Sequence, residues 1–295
     1  MKKYFIIIPI LVLVYFLSVK DNSSIKTENK RIETDNLIVN MTNYGMENIL
    51  LSEYLNGVVA CEMPALFHDE AIKAGIVAAR TFYLYKYESD KDYKPSNGDQ
   101  CYFSESKRKE NWKDNYELYN EKILNNINLT KNEVITYDGN LIKAFYFSMS
   151  NGYTEDAVNV FKKTEPYLVS VISVFDKDVK NNISSKSISV NEFKEKLNID
   201  NDIVINNIVR DSSNRVSEIV INNVNYDGVY FRKLFDLRST DFEIEFNDQE
   251  VIITTRGYGH GVGMSQWGAN EMAKMGYKYK DILKYYYKDV EIMYK

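Results

Sequence analysis

Glu62 is the residue of this chain best placed to move a proton. It stands at the end of an apolar helical stretch, between Cys61 and Met63-Pro64. A carboxylate where a helix stops among apolar neighbours is partly desolvated, which raises its pKa and suits it to donate a proton. A solvated helix-end glutamate is the plainer alternative, and Glu62 alone does not separate the two. Lys73 and Arg80 follow, seven residues apart and two turns along one face of a second helix, interleaved with Ile76 and Val77. Two cations on an alanine- and valine-rich face are expected to bind an anion or hold a neighbouring carboxylate. Far downstream, RGYGHGVGMSQWGA (256–269) combines five glycines with His260, Ser265, Gln266 and Trp267, side chains able to grip a polar ligand. Glycine at this density lets backbone turn through positive φ or lie close against another surface. A rigid loop with such polar groups is a site more often than a spacer.

These residues need elements to hold them. Apolar residues at helical spacing over Glu47–Ala60 predict a first helix, which Pro64 prevents from continuing. A second helix is expected to start near Asp69 and run through Ala71, Ala74, Val77, Ala78, Thr81, Leu84 and Tyr85. A loop over 91–99 and a helix over Trp112–Leu129 follow. Val134–Tyr137, a turn at Asp138-Gly139-Asn140 and Leu141–Ser148 read as a hairpin, with a turn-rich loop at Ser150-Asn151-Gly152-Tyr153 behind it. Val190–Leu197 and Phe231–Leu237 read as short helices. Ile203–Ile221 and Asp241–Thr255 alternate as strand pairs, while Met264–Met275 and Asp281–Tyr287 look helical. Segregated helices and mostly antiparallel strands indicate an α+β fold, with a helical lobe carrying Glu62 packed on β-structure.

Composition narrows the function classes. Hydrophobic content of 44% and charged content of 27% are those of an ordinary globular protein, and a net charge of −5 argues against a nucleic-acid partner. The 24 tyrosines serve either as core and rim packing or as faces for stacking on sugars. Lys2 and Lys3 precede an uncharged run from Tyr4 to Val19, and no small-residue cleavage site follows it. Residues 1–20 are therefore expected to be an uncleaved transmembrane anchor with a cytoplasmic N-terminus and an exported remainder. Residues 21–37, polar and without aromatics, are expected to be a flexible stalk. Cys61 and Cys101 are the only cysteines. A disulfide between them is possible in an exported domain, and a zinc site would need both, with His68 and His260, to converge.

Three stretches in order carry a resemblance. GVVACEMP with Lys73 and Arg80 behind it, then A-x-Y-x-S with G-x-T-E, then GHGVGMSQWGA are similar to the stage II sporulation protein D (SpoIID/LytB) family over nearly all of residues 38–295. The resemblance implies a lytic transglycosylase acting on peptidoglycan strands stripped of stem peptides. It places the catalytic acid at Glu62 and two functional cations at Lys73 and Arg80. The central motif falls on Tyr146, Ser148, Gly152, Thr154 and Glu155, with Tyr153 beside them. The last motif falls on His260, Gly261, Gly263, Met264, Ser265 and Gln266. Where the family has two consecutive glycines, Asn151 precedes Gly152; asparagine tolerates the left-handed region, so the turn survives. Some relatives bind zinc through a histidine and two cysteines after the second helix. Only Cys101 lies there in this chain, and neither a metal nor a cofactor is expected.

The implied organisation is a catalytic domain over 38–175, a mainly β lobe over 176–255, and a segment over 256–295 completing the groove. Glu62 would protonate the bond between N-acetylmuramic acid and N-acetylglucosamine, then take a proton from the muramoyl 6-hydroxyl as it closes on C1, leaving a 1,6-anhydro end. A two-carboxylate hydrolase needs a second acid nearby; this reaction does not. The lactyl carboxylates of the bare strand would meet Lys73 and Arg80. Tyr146, Ser148, Gly152, Tyr153, His260, Ser265 and Gln266 are expected to line the substrate. The implied place is the mother-cell membrane facing the septal space during engulfment. The implied partners there are the amidase stage II sporulation protein P and an associated membrane protein M. A non-catalytic, amidase-stimulating module and a metal-dependent peptidoglycan hydrolase are the rival classes.

Overall fold

The computed structural model describes residues 33–295. The expected anchor over 1–20, and the stalk as far as residue 32, lie outside them. Among the described residues no helix is long and apolar enough to cross a membrane. The last five stalk residues differ from expectation. Thr34–Asn36 form a 3-10 turn, Asp35 is buried, and the Thr34 hydroxyl and Asp35 N–H both donate to Asn132 Oδ1. A buried charge partner, described below, holds this polar stretch against the fold.

Helix α1 (Leu51–Glu62) ends on Glu62 because Met63 is extended and Pro64 cannot continue the helix. Helix α2 (Asp69–Ser89) begins one residue earlier than a cap at Asp69 would give: His68 Nδ1 accepts the Glu70 N–H at 3.2 Å. Asp69 and Glu70 then occupy its first turn, where the helix dipole favours negative charge. The helix expected over 112–129 is α4 (Tyr116–Leu129), which starts four residues later, and an unexpected helix α3 (Glu105–Trp112) precedes it. Lys113, at φ 47°, breaks the path between them, and Ser104 caps α3.

The hairpin after α4 is also shorter than expected. Glu133–Tyr137 pairs with Asn140–Leu141 on one side and with the C-terminal strand Glu291–Tyr294 on the other, both antiparallel. Tight bonds from Ala144 N–H to Ile142 C=O and from Phe145 N–H to Lys143 C=O then redirect the chain. Tyr146–Phe147 is thereby free to pair, in parallel, with Met264–Ser265. This pairing carries the glycine-rich stretch back to the helical core across more than a hundred residues.

After the short helix α5 (Ala157–Phe161), the segment 183–256 builds two three-stranded antiparallel sheets. One orders Phe242–Phe246, Glu250–Arg256 and Ile183–Ser189; the other orders Val224–Asp227, Val216–Ile221 and Ile205–Arg210. Helices α6 (Val190–Leu197) and α7 (Gly228–Leu234) pack Phe193, Phe231 and Phe235 into a second apolar core with Ile219, Phe242 and Ile253. The first, larger core gathers α1, α2, the buried side of α4, and helices α8 (Gln266–Lys274) and α9 (Tyr279–Tyr286). The result is the expected mixture of helices and mostly antiparallel strands.

Candidate active site

The carboxylate of Glu62 is held from two directions. Cys101 N–H donates to its Oε1 at 2.8 Å, and Gln266 Nε2 donates to its Oε2 at 3.2 Å. Val58, Val59, Met63, Gly75, Ala79, Tyr146 and Met264 complete the wall around it. Burial against this apolar lining raises the Glu62 pKa above its ordinary value, and the two hydrogen bonds oppose that rise only in part. No carboxylate is among the groups that shift it. Burial, reinforced by the charge of Glu62, pushes the Tyr146 phenol well above 10, so it remains a donor. Gln100 Nε2 donates to the Tyr146 hydroxyl at 3.0 Å and fixes it in place.

Two local features set the Cys101 N–H on Glu62. A disulfide joins Cys101 to Cys61, the residue before Glu62, and closes a separation of 40 residues. On a chain-entropy basis such a closure contributes about 4 kcal/mol. Gly57, one turn back on α1, lets the segment lie against the helix, where Phe103 N–H donates to Gly57 C=O at 3.0 Å. A Cβ at Gly57 would stand 2.1 Å from the Tyr102 ring and 2.7 Å from Phe103 O. Gly57→Ala is therefore expected to push the Cys101–Phe103 segment off α1, destabilise the fold by about 1–3 kcal/mol and weaken the Cys101–Glu62 bond. Denaturant unfolding checks the first effect. An alanine variant with wild-type stability would show that this approach is unimportant.

Gln266 reaches Glu62 from 204 residues away because Met264–Ser265 is seated beside Tyr146–Phe147. Gly263 makes that seat possible: its φ is +80°, and a Cβ there would stand 2.0 Å from Phe145 O. Ser265 was expected to touch substrate, but it is fully buried. Its hydroxyl donates to Asp176 Oδ2 at 2.6 Å and accepts the Gly268 N–H as the cap of α8. Asp176 also accepts from the Ser150 N–H and hydroxyl, so it ties three loops into one polar knot. Ser148 joins through its carbonyl, which accepts from the Trp267 N–H and the Ser265 hydroxyl.

Arg80 requires the firmest correction. Its side chain is 0% exposed and holds Asp35 with two parallel bonds, Nε to Oδ1 at 2.6 Å and Nη2 to Oδ2 at 2.9 Å. Its Nη1 donates to the carbonyls of Thr130 and Glu133. No substrate anion reaches it. Lys73 shares that face and is mostly buried, paired with Glu70 at 2.8 Å and lying near the Tyr279 ring. Gly75 and Ala79 are the α2 residues that border Glu62. Lys73 and Arg80 sit roughly 140–160° round the helix from Gly75, so the pair faces away from the carboxylate. Both make their contacts within the fold: Lys73 with Glu70, and Arg80 with Asp35 and two carbonyls.

Gly152 and Tyr153 are likewise drawn elsewhere. Gly152 supplies a turn at φ 114° in open space, and Gly152–Tyr153 pairs with Ile172–Ser173. The Tyr153 carbonyl accepts from Arg215 of the second lobe, while its side chain is exposed. Asn151 extends this junction to Ser213 and Asp241, and buried Glu155 accepts from Ser213. The central motif therefore splits: Tyr146 stands at Glu62, Ser148 joins the knot around Asp176, Thr154 bonds to Ser170 and Val171, and Glu155, with Tyr153 beside it, reaches the second lobe.

His260 packs its ring among Phe145, Phe147 and Phe161, and its Nδ1 accepts the Val262 N–H at 3.1 Å. These contacts seat the half-buried His260 in an aromatic cluster. Burial, with the nearby Arg232 and Arg215 charges, pushes its pKa down to about 4. Unfolded, it titrates near 6.5, so between 6.5 and about 4 the unfolded chain binds the proton more readily. His260 thus contributes stability that is complete above 6.5 and is lost as pH falls toward 4. Stability measured across this window should fall more steeply for the wild type than for His260→Asn; equal slopes would contradict the assignment.

No group of three or more potential metal ligands forms among the described residues. Both cysteines are consumed by the disulfide. Reading the residues in isolation overlooked Gln100, the Cys101 N–H, Gly57 and Asp176. The only advance signals were the cysteine pair and a glycine inside an apolar helix.

The profile of the stage II sporulation protein family SpoIID matches residues 41–137, which hold Glu62, the disulfide and α2. The chain is 40% identical over 262 residues to stage II sporulation protein D of Bacillus amyloliquefaciens, covering 85% of this chain and 76% of the relative. It is 38% identical over 261 residues to the protein of that name from Bacillus subtilis, with the same coverage. A more distant likeness, 27% identity over 290 residues, links it to the amidase enhancer of Bacillus subtilis, of which it covers 39%. With 40% identity over 85% of its length to one such protein, the chain belongs to the stage II sporulation protein D family.

Proposed function

We propose that the protein is a lytic transglycosylase that cuts peptide-free peptidoglycan strands between N-acetylmuramic acid and N-acetylglucosamine during sporulation. The observation that carries this reading is one desolvated carboxylate, held by the Cys101 N–H and Gln266 Nε2, in a cavity whose lining includes no second acid. Glu62, protonated more readily than an ordinary glutamate, gives its proton to the departing glycosidic oxygen. The resulting carboxylate then takes the proton of the muramoyl 6-hydroxyl as that oxygen closes on C1. Cys101 N–H and Gln266 stabilise the ionised form midway, and both protonation states are visited in one turnover. Tyr146, a phenol that stays protonated, lines the same cavity and offers a further donor for a sugar oxygen.

The relatives named stage II sporulation protein D support a role in sporulation. On this reading the enzyme works from the mother-cell membrane on septal wall, after an amidase of the stage II sporulation protein P type has exposed its substrate, with membrane protein M beside it. The test is digestion of purified wall with and without prior amidase treatment. New 1,6-anhydro ends should form mainly after the amidase. Amidase stimulation with no new glycan ends would instead favour the non-catalytic reading suggested by the amidase enhancer likeness.

A further inference from the structure

Cys61 and Cys101 do more than close a loop. Cys61 precedes Glu62 in the last turn of α1, and Cys101 supplies the N–H on Glu62 Oε1. The disulfide therefore bridges the two residues whose relative position sets that hydrogen bond. The chain around Cys101 has no helix or strand to brace it between residue 99 and α3. Its other ties include the Phe103 N–H on Gly57 C=O, the Tyr102 ring against Tyr54 and Tyr44, the Gln100 amide on Tyr146 and the Ala79 carbonyl, the Tyr44 and Tyr54 hydroxyls on Gln100, and Arg108 on the Phe103 carbonyl. These ties attach the neighbours of Cys101 and none attaches its own N–H. Both cysteines are half-buried rather than sealed in the core.

We propose that the Cys61–Cys101 disulfide is a redox-gated clamp on Glu62, engaged when oxidised and released by a dithiol reductant. One thiolate of the dithiol attacks a sulfur of the pair and the protein S–S bond breaks. The reductant then closes its own disulfide, leaving Cys61 and Cys101 as thiols; two electrons and two protons pass from dithiol to protein. The segment stays near α1 through Phe103 and Tyr102, but the Cys101 N–H is no longer fixed on the carboxylate. Glu62 loses one of its two positioning donors and turnover falls. The same protein is thereby active where disulfides persist and throttled where dithiols are abundant. This inference rests on the reading of Glu62 as the proton donor.

The experiment compares full-length protein, oxidised and treated with a small dithiol, with reduction verified by thiol labelling. Two properties are read: amide exchange at Cys101 and turnover of peptide-free glycan. Reduction should speed exchange at Cys101 about tenfold or more and slow turnover about tenfold, with both restored on re-oxidation. The Cys61→Ser/Cys101→Ser protein should match the reduced wild type and ignore the dithiol. In protein that cleaves glycan, either property unchanged after full reduction overturns the proposal. If the oxidised protein cleaves nothing, the functional reading has failed, and exchange at Cys101 alone decides whether the clamp exists.

Discussion

Glu62→Gln should slow glycan cleavage by about 10³-fold while leaving the fold at least as stable as the wild type. The amide has the same size and accepts the Cys101 N–H, but it cannot give up and regain a proton. Stability should move the other way because burial raises the Glu62 pKa above its ordinary 4.5. A group shifted upward favours the neutral form in the folded state. The folded protein therefore loses stability as pH rises past 4.5 and carries that cost at neutral pH. Replacing the charge by an amide removes it, with the Gln266 amide turning to offer its oxygen. A variant that is inactive and unfolded would tell little, so melting temperature and turnover must be measured together. Wild-type turnover in a stable Gln variant would end the assignment of Glu62.

Arg80→Ala should lower folding stability by about 3–5 kcal/mol. It leaves Asp35, 2% exposed, without its two-pronged partner, and frees the carbonyls of Thr130 and Glu133. Arg80→Lys should recover only part of this, since an ammonium cannot make both parallel bonds. Asp35→Ala should cost a similar amount, and the double variant less than the sum, because the two residues share one interaction. At a temperature where the variant is fully folded, turnover per molecule should stay near the wild type. A stable Arg80→Ala protein without activity would restore Arg80 to the substrate.

The comparison between these two residues shows where the sequence was informative. Glu62 could be read because its signal is local: apolar helical spacing before it and Pro64 after it state that a carboxylate ends a helix. Lys73 and Arg80 were correctly placed on one face of α2, since seven residues make two turns. Their direction was not local information. It depends on Gly75 and Ala79 turning toward Glu62, and on Asp35 arriving from a stretch whose polar composition resembles a free stalk. Composition cannot distinguish a solvated aspartate from one waiting for a buried arginine.

The same division holds elsewhere. Val190–Leu197 forms the helix expected there, because its apolar spacing and the Ser189 cap agree. The strand Glu291–Tyr294 escaped notice, being short and stabilised by its pairing with Glu133–Tyr137 rather than by any pattern of its own. The glycine-rich loop was read as a site. Its glycines and Ser265 proved to build a seat, and only Gln266 touches the proposed acid. A motif recurs as a unit whether its members meet the ligand or hold those that do. Only the fold separates the two.

The central claim is that a single carboxylate cuts the glycan with the substrate's own hydroxyl as nucleophile. Cleavage of peptide-free strands in water enriched in heavy oxygen tests it most directly, because hydrolysis must place solvent oxygen on the new end and intramolecular closure cannot. The account predicts 1,6-anhydro ends that carry no label. Labelled reducing ends would contradict it and require a water-activating group beyond the cavity that Glu62 lines.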